Sequence, residues 1–135
     1  MRTVDSTLTP YLAVGDARAA LEWYTAHLGA ELVAEPIEMP DGRVGHAELR
    51  VRGARVFLAD AYPELAAVAP DPAGVPVSLH LEVEDVDGMV DRLRAAGAQV
   101  DREPADGGPG RIAVVRDPFG HRWMLNQALS RQGRR

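Results

Sequence analysis

Apolar positions along this chain follow two rhythms, and the same succession of rhythms occurs twice. Thr7 to Val14 alternates as a strand does, with Leu8, Pro10, Leu12 and Val14 on one face and Thr9, Tyr11 and Ala13 on the other. Pro10 inside that run demotes it to an edge or a bulged position. Ala20, Leu21, Tyr24 and Leu28 then follow helical spacing, with Trp23 beside the stripe. Asp16 before the stripe is the expected N-cap and Gly29 after it the expected stop, which predicts a helix over 17–28. Glu31 to Glu38 reads as a strand and Pro40-Asp41-Gly42 as a turn. Gly45 to Val51 sets Ala47, Leu49 and Val51 against His46, Glu48 and Arg50. Arg52-Gly53 then turns the chain into a partner strand, Ala54 to Asp60.

The rhythm breaks over 61–76, where Pro63, Pro70, Pro72, Gly74 and Pro76 exclude a long regular element. One helical turn near Leu65 is expected. The stretch reads as a connector, and a lid over a site is the other reading. The first rhythm then returns. Val77 to Val83 is a strand, Asp85 caps a helix over 86–96 with Val86, Met89, Val90 and Leu93 as its stripe, and Gly97 ends it. Gln99 to Glu103 reads as a short strand and Ala105 to Gly110 as a glycine-rich loop. The chain closes on Ile112 to Val115, the turn Asp117-Pro118-Phe119-Gly120, and Trp123 to Leu125.

Leu12 to Asp16 matches Leu81 to Asp85 at an offset of 85 − 16 = 69, and Gly29-Ala30-Glu31-Leu32 matches Gly97-Ala98-Gln99-Val100. Carried to the hairpins, the repeat is expected to set Leu58 against Met124 and Asp60 against Asn126. Each half is then β-α-β-β-β, with modules at 1–62 and 77–129, the connector at 63–76, and a basic tail at 130–135 expected to be disordered. Neither half can bury both helix and sheet faces alone, so the two are expected to pack together.

The duplicated βαβββ pattern and the closing strand–Asp-Pro-Phe-Gly–strand resemble the vicinal oxygen chelate superfamily, the glyoxalase/bleomycin-resistance/dioxygenase fold. The resemblance covers nearly the whole chain. It implies an α+β protein whose two modules form curled mixed sheets around a cavity, and a homodimer. Metal-dependent members hold a divalent ion with His, Gln or Glu from the first and last strand of each half. The matching positions here are expected to be Thr9, Leu58, Ser78 and Met124. None is an ordinary ligand for such an ion, so the resemblance points to the metal-free branch that binds antibiotics such as bleomycin, with no cofactor and no metal. A shift of two residues would put Tyr11, Asp60, His80 and Asn126 at those positions instead.

Charge changes the picture only by exclusion. Fifteen Lys and Arg against twenty Asp and Glu leave a formal charge of −5, which argues against a nucleic-acid partner. The absence of cysteine excludes disulfides, thiolate metal sites and a cysteine nucleophile. No apolar run reaches the ~18 residues of a membrane span and no secretory signal opens the chain, so a cytoplasmic protein with no membrane contact is expected. Gly107-Gly108-Pro109-Gly110 lacks the Lys-Ser/Thr of a phosphate loop.

The faces carrying Thr9, Tyr11, Ser78, His80 and Glu82, with Val56, Leu58, Asp60, Arg122, Met124 and Asn126 from the hairpins, mix polar and apolar groups as small-molecule sites do. Tyr11, Glu48, His80, Arg122 and Asn126 are the expected polar contacts, and Leu58, Trp123 and Met124 the expected apolar wall. The leading expectation is metal-independent binding of a small molecule, as in antibiotic sequestration. The alternative is a divalent-metal lyase, isomerase or dioxygenase using His80 and Glu48 as ligands and Asp60 as ligand or base. A module that docks a partner on a sheet edge is a third class.

Overall fold

The computed structural model describes residues 8–108 and 110–128. Thr7, expected to open the first strand, and the tail at 130–135 lie outside the described residues. The chain divides into two units, Met1–Ala69 and Pro70–Arg135.

The first unit contains β1 (Tyr11–Val14), α1 (Ala17–His27), β2 (Ala30–Leu32), β3 (Ile37–Glu38), β4 (Val44–Val51) and β5 (Ala54–Asp60). Its sheet runs β1-β5-β4-β2, with β3 paired to β4 and β1 parallel to β5. The second contains β6 (Ser78–Glu82), α2 (Val86–Ala95), β7 (Gln99–Gly107), β8 (Gly110–Arg116) and β9 (Arg122–Ala128), in the order β6-β9-β8-β7 with β6 parallel to β9. These two curled, unclosed mixed sheets and two helices are the fold that the repeat implies.

The local causes are those of the pattern. The Asp16 carboxylate accepts from Ala19 N–H and that of Asp85 from Gly88 N–H, so each caps its helix. The stripes Ala20, Leu21, Tyr24, Leu28 and Val86, Met89, Val90, Leu93 are buried, with α1 against β1, β2 and β5 and α2 against β7, β8 and β9. Arg52 and Gly53, both at positive φ (49° and 86°), form the two-residue turn whose twist suits a hairpin. At the closing turn the buried Asp117 accepts from Phe119 N–H and His121 N–H through Oδ1 and from the Trp123 indole N–H through Oδ2.

Four expectations are corrected. β1 begins only at Tyr11, because Pro10 cannot donate to the ladder, and Leu8 is 93% exposed instead of facing the helix. The strand expected over 31–38 is two short pieces, β2 and β3. The loop expected over 105–110 is largely strand: β7 runs to Gly107 as an edge strand, accommodating Pro104 at register shifts between Val100 and Ala105.

The fourth correction matters most for the site. Leu12 pairs with Leu58 and Leu81 with Leu125, so Leu58 is the counterpart of Leu125, not of Met124. The counterpart of Met124 is Phe57. An independent pair agrees: Asp60 accepts from Ala17 N–H at the start of α1, and Gln127 accepts from Val86 N–H at the start of α2. Asp60 therefore matches Gln127, not Asn126. A one-residue slip turns every side chain of a strand to the other face.

Candidate ligand site

Residues paired across neighbouring strands share a face. In the first sheet Tyr11 pairs with Phe57 and Phe57 with Glu48, which sets all three on the face away from α1. His46, two residues before Glu48, joins them. The rings of Tyr11, His46 and Phe57 meet edge to face, with centroids 5.4, 5.6 and 4.8 Å apart. The Tyr11 hydroxyl donates to the Gly45 carbonyl at 3.2 Å and lies 2.7 Å from His46 Nδ1. The Arg55 guanidinium stands 5.5 Å over the Phe57 ring, and its Nε is 3.4 Å from Glu48.

At the end of this face lies a hollow of about 500 Å³. Tyr11, Ala13 and Ala59 form one side, and Met39, Tyr62 and Leu65 reach it from outside the sheet. Tyr62 and Leu65 belong to a strap that follows β5. It holds a short 3-10 turn (Pro63–Leu65) closed by paired hydrogen bonds between Tyr62 and Ala67, with Ala66 left-handed at φ 63°. Arg43 fastens it. Its guanidinium donates to both Glu64 oxygens at 2.6 and 3.2 Å and to the Ala61 carbonyl at 3.3 Å, is held by Asp41, and stacks 3.7 Å over the Tyr62 ring. These hydrogen bonds hold the Asp41 and Glu64 carboxyls below the usual range and raise Arg43 further.

The hollow has little charge to offer. Asp60, expected to face it as a ligand or base, is occupied structurally: Oδ1 accepts from Ala17 N–H at 2.7 Å and Oδ2 from Val44 N–H at 2.6 Å. Burial, and secondarily the neighbouring Tyr62, push the Tyr11 phenol above its ordinary value, so it stays neutral at physiological pH.

In the second sheet the face away from α2 carries Ser78, His80, Glu82, Arg122, Met124 and Asn126. Arg122 donates to the Ser78 hydroxyl. Glu82 lies 3.4 Å from His80 Nδ1 and accepts from Asn126 Nδ2 at 3.0 and 3.2 Å. Asn126 is only 4% exposed, and its Oδ1 has no partner among the described residues.

The sequence reading thus places Tyr11, Glu48, His80, Arg122, Met124 and Asn126 on these two faces. Leu58 and Trp123, expected as apolar wall, lie on the helix-covered side and are buried in the core, Trp123 with its N–H on Asp117. Phe57, Met39 and Gly45 were not singled out. Phe57 was hidden by the register slip. Met39 and Gly45 meet through a turn that periodicity does not encode.

The Glyoxalase/Bleomycin resistance protein/Dioxygenase superfamily model matches residues 3–125, and the chain belongs to that family. It is 39% identical to the Mycobacterium bovis protein Mb0911c, described as uncharacterized, over 93% of this chain and 86% of that one. A glyoxalase/bleomycin resistance protein/dioxygenase from Nocardioides shares 28% identity over 96% of this chain and 88% of its own, at a TM-score of 0.64. TioX from Micromonospora sp. ML1 shares 27% over 93% of this chain and all of its own, at a TM-score of 0.69.

With the register corrected, the four strand positions that the resemblance marks as ligand positions become Thr9, Phe57, Ser78 and Met124. Two hydroxyls, a phenyl ring and a thioether do not suit a divalent ion that prefers imidazole and carboxylate. The shifted set fares no better, since Asp60 belongs to the helix-covered side. Among the described residues no three His, Asp or Glu side chains gather as a metal site.

Proposed function

We propose that this protein binds a small, largely apolar molecule on the open faces of its sheets without a resident metal, and sequesters it instead of converting it. The donor set carries the reading: all four strand positions that hold the metal elsewhere in the family lack a suitable ligand. The apolar hollow with few polar groups supports it, since that is the usual composition of a binding pocket. On the first sheet Tyr11 and Glu48 supply polar contacts with Phe57 as apolar wall, and on the second His80, Arg122 and Asn126 do so with Met124. Phe57 takes the place first given to Leu58.

The test is metal content by elemental mass spectrometry on protein purified without chelator or metal-affinity steps, followed by a thermal-shift screen of aromatic antibiotics. Background metal and at least one stabilising compound are expected. Tyr11→Ala and His80→Ala are expected to weaken that compound's binding while leaving the unliganded melting temperature within a few degrees. A stoichiometric divalent ion would instead favour the lyase or dioxygenase class.

A further inference from the structure

The Tyr62 hydroxyl is buried and has no hydrogen-bond partner among the described residues. A buried hydroxyl without a partner is costly, so its retention asks what completes it. Its surroundings give the answer a direction. A methyl group built on Gly45 would lie 3.7 Å from this hydroxyl and 2.7 Å from both Cγ and Sδ of Met39. The hydroxyl, the thioether and the bare Gly45 backbone therefore meet at one spot, and all three residues line the hollow of the first unit. Met39 is 39% exposed and unbranched, so its side chain can swing away at small cost. Tyr62 cannot follow it, because the strap is pinned by Arg43 through Glu64, the Ala61 carbonyl and the ring itself.

We propose that this hollow is a subsite for an uncharged, mainly apolar molecule bearing one hydrogen-bond acceptor, which displaces the Met39 side chain and accepts from the Tyr62 hydroxyl. The inference rests on the binding-protein reading and adds the chemical class of ligand and the residue that recognises it. The walls exclude an anion. The Tyr11 phenol is neutral, both oxygens of Asp60 are taken up by backbone N–H groups, and the guanidinium of Arg43 is committed to Asp41 and Glu64, so the lining offers an anion no free cation. The other phenol, Tyr11, is already engaged with Gly45 and His46, which leaves Tyr62 as the hydroxyl with an unused donor.

Three probes of nearly equal size test this: acetylnaphthalene, isopropenylnaphthalene and naphthoate, substituted at the same ring carbon. Binding is followed by calorimetry or by probe fluorescence on the intact protein. Acetylnaphthalene is expected to bind about five-fold more tightly than isopropenylnaphthalene, the usual worth of one neutral hydrogen bond. Naphthoate is expected to bind at least ten-fold more weakly than acetylnaphthalene. Tyr62→Phe removes only the hydroxyl and is expected to erase the ketone's advantage while leaving isopropenylnaphthalene unchanged, an outcome that a general loss of structure would not produce. Met39→Ala, which uncovers the hydroxyl, is expected to tighten the ketone more than the hydrocarbon. Equal binding of ketone and hydrocarbon, or an advantage that survives Tyr62→Phe, would overturn the subsite while leaving the binding-protein reading in place. Failure of all three probes to bind would overturn the subsite, whereas a stoichiometric metal would remove the reading beneath it.

Discussion

Asp117 shows how much one side chain can organise. It is 4% exposed, yet both oxygens are used, on two backbone N–H groups of its own turn and on the buried indole of Trp123. Hydrogen bonds to a charged acceptor are the stronger kind, and three donors would be stranded by its removal. Asp117→Ala is expected to cost about 3 kcal/mol in urea unfolding, and Asp117→Asn less, since one oxygen still accepts. A loss within 0.5 kcal/mol for the alanine variant would mean that water replaces the carboxylate. The turn itself was readable from Asp-Pro-Phe-Gly, but the indole bond was not. Nothing in the order of residues says that Trp123 points back at Asp117, and this is why Trp123 was expected in a ligand wall. Tyr11 illustrates the converse: its face followed from alternation alone, whereas its contacts with His46 and Gly45 depend on β4 folding back beside it through β5.

At the level of elements, the helices were the most readable part, because a cap, a four-residue stripe and a terminal glycine all point the same way in each half. The strands were less so. Trp123-Met124-Leu125 and Val56-Phe57-Leu58 are continuous apolar runs, so alternation does not say which residue faces the helix, and the two runs align equally well one residue out of register. The signal that resolves it lies at the strand ends, where Asp60 and Gln127 each accept from the first N–H of the helix in their own half. The β7–β8 hairpin hid for another reason: its glycines imitate a loop. Gly110 is instead a place where β8 approaches β9 closely. A methyl there would meet the Gln127 carbonyl oxygen at 2.2 Å, and a backbone atom cannot swing aside. Gly110→Ala is expected to destabilise the protein by about 2 kcal/mol or more, whereas Gly107→Ala, whose methyl would meet only an Arg102 side-chain nitrogen at 3.9 Å, stays within about 0.5 kcal/mol. Equal melting temperatures for the two variants would show that the strands can separate without penalty.

Across the whole molecule the two halves share a plan and divide the polar chemistry. The first has the apolar hollow and its aromatic cluster, the second the polar face of His80, Glu82, Arg122 and Asn126, and both hold peripheral segments with arginine–carboxylate pairs. Arg43 binds Asp41 and Glu64, and Arg111 binds Asp87 and Asp106. Hydrogen bonds from these arginines hold Asp41, Glu64 and Asp87 below their ordinary values of 3.8, 4.5 and 3.8. A carboxyl depressed in the folded state contributes stability that is fully present above its unfolded value and is lost as pH falls through its folded one. Acid should therefore lower the melting temperature progressively below about pH 4.5. The groups are exposed, so salt should shrink the effect. The strap makes the effect local as well as global. Protonating Glu64 weakens one of the contacts by which Arg43 pins the strap, so affinity for a neutral ligand in the hollow is expected to fall over the same acidic range although the ligand itself does not titrate. Arg43→Gln separates the two. It should weaken binding at neutral pH, flatten the acid dependence of affinity, and leave the contribution of Arg111 and Asp87 to the melting curve intact. An affinity that declines equally in the wild type and in Arg43→Gln would show that the strap is held by something other than this pair.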